Sequence, residues 1–174
     1  MALDIVRLLL FPALMAFAAA SDLFTMTISN RISLLLIAGF VLLAAFGGMS
    51  LHDISMHVAA GFAVLTIAFA CFAFGWIGGG DAKLAAATAL WLGFDHLLIY
   101  LVYAAVIGGG LALLLLSFRK WPLPAMLLSH EWAQRLHDSR TGMPYGIALA
   151  IGALLIYPET EWMQAIDLSR FVTG

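Results

Sequence analysis

Residues 82–118 read AKLAAATALWLGFDHLLIYLVYAAVIGGGLALLLLSF, and the fold class turns on them. Lys83 and Asp95 are the only residues of the Asp, Glu, Lys and Arg set in the stretch. Its apolar residues keep to no single helical face and do not alternate as in a strand. Such a run reads as membrane helix, which satisfies its own backbone hydrogen bonds. Gly93, Asp95 and His96 interrupt it, so it divides into one segment over 82–94 and another over 97–118. The first rises only about 20 Å, short of a hydrocarbon core of roughly 30 Å. Either it is tilted inside a bundle, or the Gly-rich turn before it lies below the membrane surface. A recessed polar turn is tolerated only where protein or a water-filled cavity surrounds it.

Outward from this stretch, similar apolar runs lie over 5–20, 32–46, 56–77 and 144–157. The expected fold is all-α: a polytopic integral membrane protein, a bundle of about six transmembrane helices. Composition agrees. The 174 residues are 64% hydrophobic and 10% charged, against roughly 25% charged in a soluble domain. A water-soluble domain is excluded because it cannot hide that much apolar surface. Disorder is excluded because it needs low hydrophobicity and high charge. Six spans use roughly 120 residues, so residues 1–174 read as a single membrane-embedded domain with no room for a large extramembrane one.

Six of the eight Lys and Arg residues fall in the loops after the first, third and fifth segments: Arg31, Lys83, Arg119, Lys120, Arg135 and Arg140. The positive-inside rule places that side in the cytoplasm and both termini outside. The bilayer is thus one partner. Nucleic acid is not, since a net charge of −2 offers no basic cluster. The longest loop, 117–143, is cytoplasmic in this reading. Leu128, Trp132 and Leu136 recur at helical spacing within it, which predicts a short interfacial helix. The outer tail with Trp162, Ile166 and Arg170 reads as another surface helix.

Two carboxylates stand out on the cytoplasmic side, where ionisable groups beside spans are functional candidates. Asp22 follows the end of the first segment. Asp81 opens the fourth, in Gly78-Gly79-Gly80-Asp81-Ala82-Lys83. The plain reading is that both cap helices. The chemical reading is that, brought together, the two cannot both ionise easily, so one keeps its proton. The ionised partner then takes a proton from water while the protonated one polarises a peptide carbonyl, as in aspartic proteases. This chemistry needs no metal and no cofactor.

Other catalytic patterns are missing. His130-Glu131-Trp132-Ala133-Gln134 begins like a zinc-binding helix, but Gln134 stands where the second ligand belongs. The single cysteine, Cys71, makes no internal disulfide or four-thiolate zinc site. There is no nucleophile elbow and no phosphate-binding glycine loop. The histidines read as loop and interface residues.

The residues from Gly78 to Lys83 resemble the GxGDxK signature of the type IV prepilin peptidases, a GxGD family of membrane aspartic proteases. Asp22 followed eight residues on by Asn30, in Ile28-Ser29-Asn30, is similar to that family's first-loop pattern. Pro144-Tyr145-Gly146-Ile147-Ala148 resembles the start of its last helix. The resemblance implies an enzyme that cuts the short basic leader from prepilins or pilin-like proteins at the cytoplasmic face of the bacterial inner membrane. Asp22 and Asp81 carry over as the catalytic pair. Gly78 and Gly80 then pack closely around the site, and Asn30 ties down the first loop. Lys83 either orients the pair or anchors the chain at the membrane surface. Pro144 and Tyr145 shape the site or the substrate path. The chain resembles the short, peptidase-only members of Flp (tight-adherence) pilus systems, since it lacks the paired cysteines that accompany N-methyltransferase activity. Two features depart from the family: Ser29 replaces a proline, and Phe24-Thr25-Met26-Thr27 replaces basic residues. The competing reading is a catalytically silent scaffold of a pilus or type II secretion-like machine. A small transporter is a third, and it requires carboxylates reachable from both faces.

Overall fold

The computed structural model describes residues 2–166. Its helices are α1 (Ala2–Thr25), α2 (Asn30–Gly47), α3 (Leu51–Ala73), α4 (Gly79–Phe118), α5 (Glu131–His137), α6 (Tyr145–Ile156) and α7 (Glu161–Gln164), with 3-10 turns at Ala125–Leu127 and Tyr157–Glu159. No strand occurs among the described residues. By length and apolar character, α1 from Leu3, α2, α3 and α4 are each sufficient to cross a membrane. Helix α6 is apolar but shorter.

The turns follow local chemistry. Ser29 and Ser50 cap α2 and α3, each accepting a backbone N–H on its hydroxyl, from Arg31 (3.3 Å) and Asp53 (3.1 Å). Gly48 ends α2 in the left-handed conformation at φ 75°. Helix α1 runs past the apolar segment expected to end at residue 20. Thr25 donates to the Ser21 carbonyl (2.7 Å) and Ser21 to that of Thr27 (2.8 Å), so polar side chains satisfy the backbone of its last turn. Asp22 therefore lies within α1, not after it.

Helix α4 is the organising element. A straight helix of its length would rise about 60 Å, twice a hydrocarbon core. It breaks at Gly93, with φ 62° and ψ −175°, a conformation essentially reserved for glycine. The contacts show that the chain folds back there. Ascending from Asp81, Thr88 lies by Met15 and Trp91 by Phe11 of α1. Descending, Ala104 packs on Gly152 and Gly108 on Tyr145, at the level where Gly146 meets Asp22. The break anticipated around Gly93, Asp95 and His96 is thus a reversal, and residues 79–92 and 94–118 form an antiparallel pair.

Breaking a helix frees carbonyls that water cannot reach. Here two side chains take them. His57 Nδ1 lies 2.8 Å from the Leu90 carbonyl, and Trp162 Nε1–H donates to that of Trp91 (2.8 Å). Phe11, Phe40, Trp91, Tyr157 and Trp162 pack around this joint with ring centroids 4.5–6.4 Å apart. Two expectations are corrected. Trp162 and Ile166 are buried, not on a surface helix, because Trp162 closes the joint; Arg170 lies outside the described residues. His57 is likewise a structural member of the interior, not a loop residue.

The 117–143 segment contains a short helix, over a narrower range than the Leu128-to-Leu136 spacing suggests. Helix α5 covers only Glu131–His137, so Leu128 falls outside it and stays exposed while Leu136 is buried. The segment is held by Arg119, which donates to the carbonyls of Leu136 (2.8 Å), Thr141 (3.2 Å) and Gly142 (3.0 Å). Backbone carbonyls, not an apolar stripe, fix its shape.

Candidate active site

Asp22 and Asp81 reach one place from separate elements. Asp22 sits in the last turn of α1 and is only 5% exposed. Its Oδ2 accepts the Gly146 N–H at 2.7 Å. That N–H belongs to the first turn of α6, where backbone donors have no helical partner and the dipole favours negative charge. Glycine is required at 146 because a Cβ there would stand 2.8 Å from Asp22 Oδ2 and 2.6 Å from Ile28 Cδ1.

Asp81 occupies the first turn of α4, after the extended Gly78 that precedes the helix. Its carboxylate turns back over the Gly78 backbone, so that a Cβ at 78 would lie 2.8 Å from Oδ2. A third-position acid reaching back to the helix start is capping geometry. Asp81 is therefore both a cap and a neighbour of Asp22: the two carboxylates lie within electrostatic reach. Among the described residues no hydrogen bond joins the two carboxyl groups directly.

Ile28 is the wedge that holds these parts together. A Cβ on Gly80 would come within 3.1 Å of its Cβ and 3.4 Å of its backbone N and O, while its Cδ1 presses on Gly146. Two helix N-termini thus converge on the loop between α1 and α2, each through a glycine. Sequence reading used Ile28 only as a motif position and did not single out Gly146. The signal for Gly146 was present in Pro144-Tyr145-Gly146, but its partner, 124 residues earlier, was not.

The other candidates divide. Pro144 precedes α6 and is buried. Tyr145 lies with its ring against Gly108 and donates its hydroxyl to the Ala104 carbonyl (3.2 Å), bracing α6 on α4. Lys83 and Asn30 meet each other, Nζ to Oδ1 at 2.9 Å, not the carboxylates. Two residues along a helix is about 200° of rotation, so Lys83 faces away from Asp81. Helix α5 closes the end of α1 beside the site: Arg135 donates to the Phe24 carbonyl (3.1 Å), and Trp132 meets Phe24 edge-on at 5.9 Å. Arg31, Lys83, Arg119 and Arg135 all belong to this end of the bundle, while Arg7 lies at the other, its carbonyl bonded by Tyr157. Among the described residues no group of three or more His, Cys, Asp or Glu side chains is placed to hold a metal ion.

The arrangement can support acid–base chemistry on water: one buried carboxylate held by a helix-end N–H, and a second carboxylate beside it at the start of another helix. The sequence pattern of the type IV leader peptidase family matches residues 9–113, which include both aspartates. No curated protein and no solved structure matches the chain.

Proposed function

The chain belongs to the type IV leader peptidase family, and on that premise we propose that it is a membrane aspartic endopeptidase that cuts the basic leader from a prepilin or pilin-like protein, with Asp22 and Asp81 as its catalytic pair. The observation that carries this reading is the buried Asp22, fixed by the Gly146 N–H and set beside the start of α4 by Ile28, which meets both Gly146 and Gly80. Two such groups share a proton more readily than both ionise. The ionised carboxylate takes a proton from a water molecule, and the resulting hydroxide equivalent attacks the scissile carbonyl carbon. The protonated carboxyl donates to the carbonyl oxygen. Collapse of the tetrahedral adduct breaks the C–N bond, and the amine leaves with the proton first taken from water. The donor on Asp22 keeps that carboxyl oriented through the cycle.

Within this reading the protein crosses the bacterial inner membrane six times: α1, α2, α3, the two halves of α4, and α6. The lysine- and arginine-rich end faces the cytoplasm and both termini face outward. Residues 1–174 act as a single peptidase domain without N-methyltransferase activity.

Mass spectrometry of a candidate prepilin from cells with and without the protein tests the proposal. Leader removal is expected only in its presence, and Asp22→Asn or Asp81→Asn is expected to abolish it. Normal processing by a folded double variant would overturn the catalytic assignment and favour the scaffold reading.

A further inference from the structure

Helices α2 and α3 are consecutive, yet they scarcely touch; each packs on α4 instead. The gap between them is a groove of about 740 Å³. Ile37 and Val41 of α2 and Val58 and Phe62 of α3 form its walls, and Ala86 and Ala87 of α4 its floor. Its polar groups are gathered at one end, where Lys83 and Asn30 meet. Along α2 it runs from Asn30 to Ala45, about 22 Å at helical rise.

That length matches one leaflet with its headgroup layer, which is half of a bilayer of about 40–45 Å. A polypeptide helix crossing the membrane would need a longer seat. The charge pattern matches a lipid too. Among the described residues the partner of Lys83 Nζ is a neutral amide oxygen at 2.9 Å, and an anionic oxygen there adds the attraction of an opposite charge.

We propose that the groove between α2 and α3 is a binding site for one phospholipid of net negative headgroup, its phosphate on Lys83 and its acyl chains over Ala86 and Ala87. A zwitterionic lipid is a poorer ligand because its own ammonium competes for the phosphate. The groove is on the face of α4 turned away from Asp81, so lipid occupancy and peptide cleavage are separate readouts.

Native mass spectrometry of the full chain in detergent tests this, with phosphatidylglycerol and phosphatidylcholine of identical acyl chains offered together. About tenfold greater retention of phosphatidylglycerol is expected, because its headgroup carries no cation to offset the phosphate. Lys83→Gln should level the two lipids, while Lys83→Arg should keep the preference. Ala45→Trp, which fills the open groove, should reduce retention of both and serves if Lys83→Gln does not fold. Equal retention of the two lipids by the unaltered protein (an annular belt only) would overturn the site. So would undiminished retention by Ala45→Trp, or labelling of the groove by a photoreactive apolar peptide with no lipid held there.

Discussion

The two ends of the bundle solve the same problem in opposite ways. Around Gly93 the chain breaks a helix, and side chains take up two of the carbonyls beside the break: His57 meets the Leu90 carbonyl and Trp162 the Trp91 carbonyl, inside a shell of aromatic rings. Around Asp81 two helices begin, and their N-termini meet glycines, Ile28 and the carboxylates, with the Phe72 ring against Gly79. Glycines at 78, 80 and 146 let backbone approach Ile28 and the carboxylates. One end is closed by satisfied carbonyls and is structural. The other gathers two helix N-termini, their glycines and two carboxylates, and is the end the proposed chemistry uses.

The largest expected effect separates the ends most sharply. Asp22→Asn or Asp81→Asn should cost at least about 10²–10⁴-fold in leader cleavage, the range for losing a general acid or base. Each should unfold in detergent within a few degrees of the unaltered protein. Next is Gly93→Ala. It forces a side chain into a glycine-only conformation, with a Cβ 3.0 Å from the His57 ring. A loss of about 1–3 kcal/mol is expected, read as a lowered thermal midpoint. A neutral Gly93→Ala would break the picture of a tight joint. Gly146→Ala is the converse. Its Cβ displaces Asp22 Oδ2 and Ile28, so cleavage should fall about tenfold, or ~1.4 kcal/mol of barrier, with a smaller change in midpoint than Gly93→Ala. The smallest effect belongs to Trp162→Phe. It keeps the ring packing but strips the donor from the Trp91 carbonyl, costing about 1 kcal/mol of stability and leaving the cleavage rate per folded molecule unchanged.

Legibility differed along the same axis. The break near Gly93 was readable because a glycine followed by Asp95 and His96 interrupts an apolar run. Its closure was not, because His57 and Trp162 come from helices far away in sequence. At the other end Asp22, Asp81 and the glycines before Asp81 were readable as a motif. Ile28 as the wedge and Gly146 as the donor were not, since each stands in a local motif while its partner lies far away in sequence. Lys83 and Asn30 were singled out for the site, yet they form a latch beside it, on the opposite face of α4 from Asp81. Their spacing placed them near the carboxylates in sequence, but helical rotation turned Lys83 away.

By itself the sequence determined what depends on composition and local order. It established the membrane class, the positions of the apolar segments, the interruption at Gly93, the clustering of cations in alternate loops and the two candidate carboxylates. Tertiary structure decided the rest: which residues face one another, that α4 doubles back, and that Asp22 rests on the start of α6. The physical reason is that these helices are apolar nearly all round. A helix with one polar face announces its inner side; a helix immersed in lipid has no such stripe, so its contacts are settled by close packing of small and large side chains across the bundle.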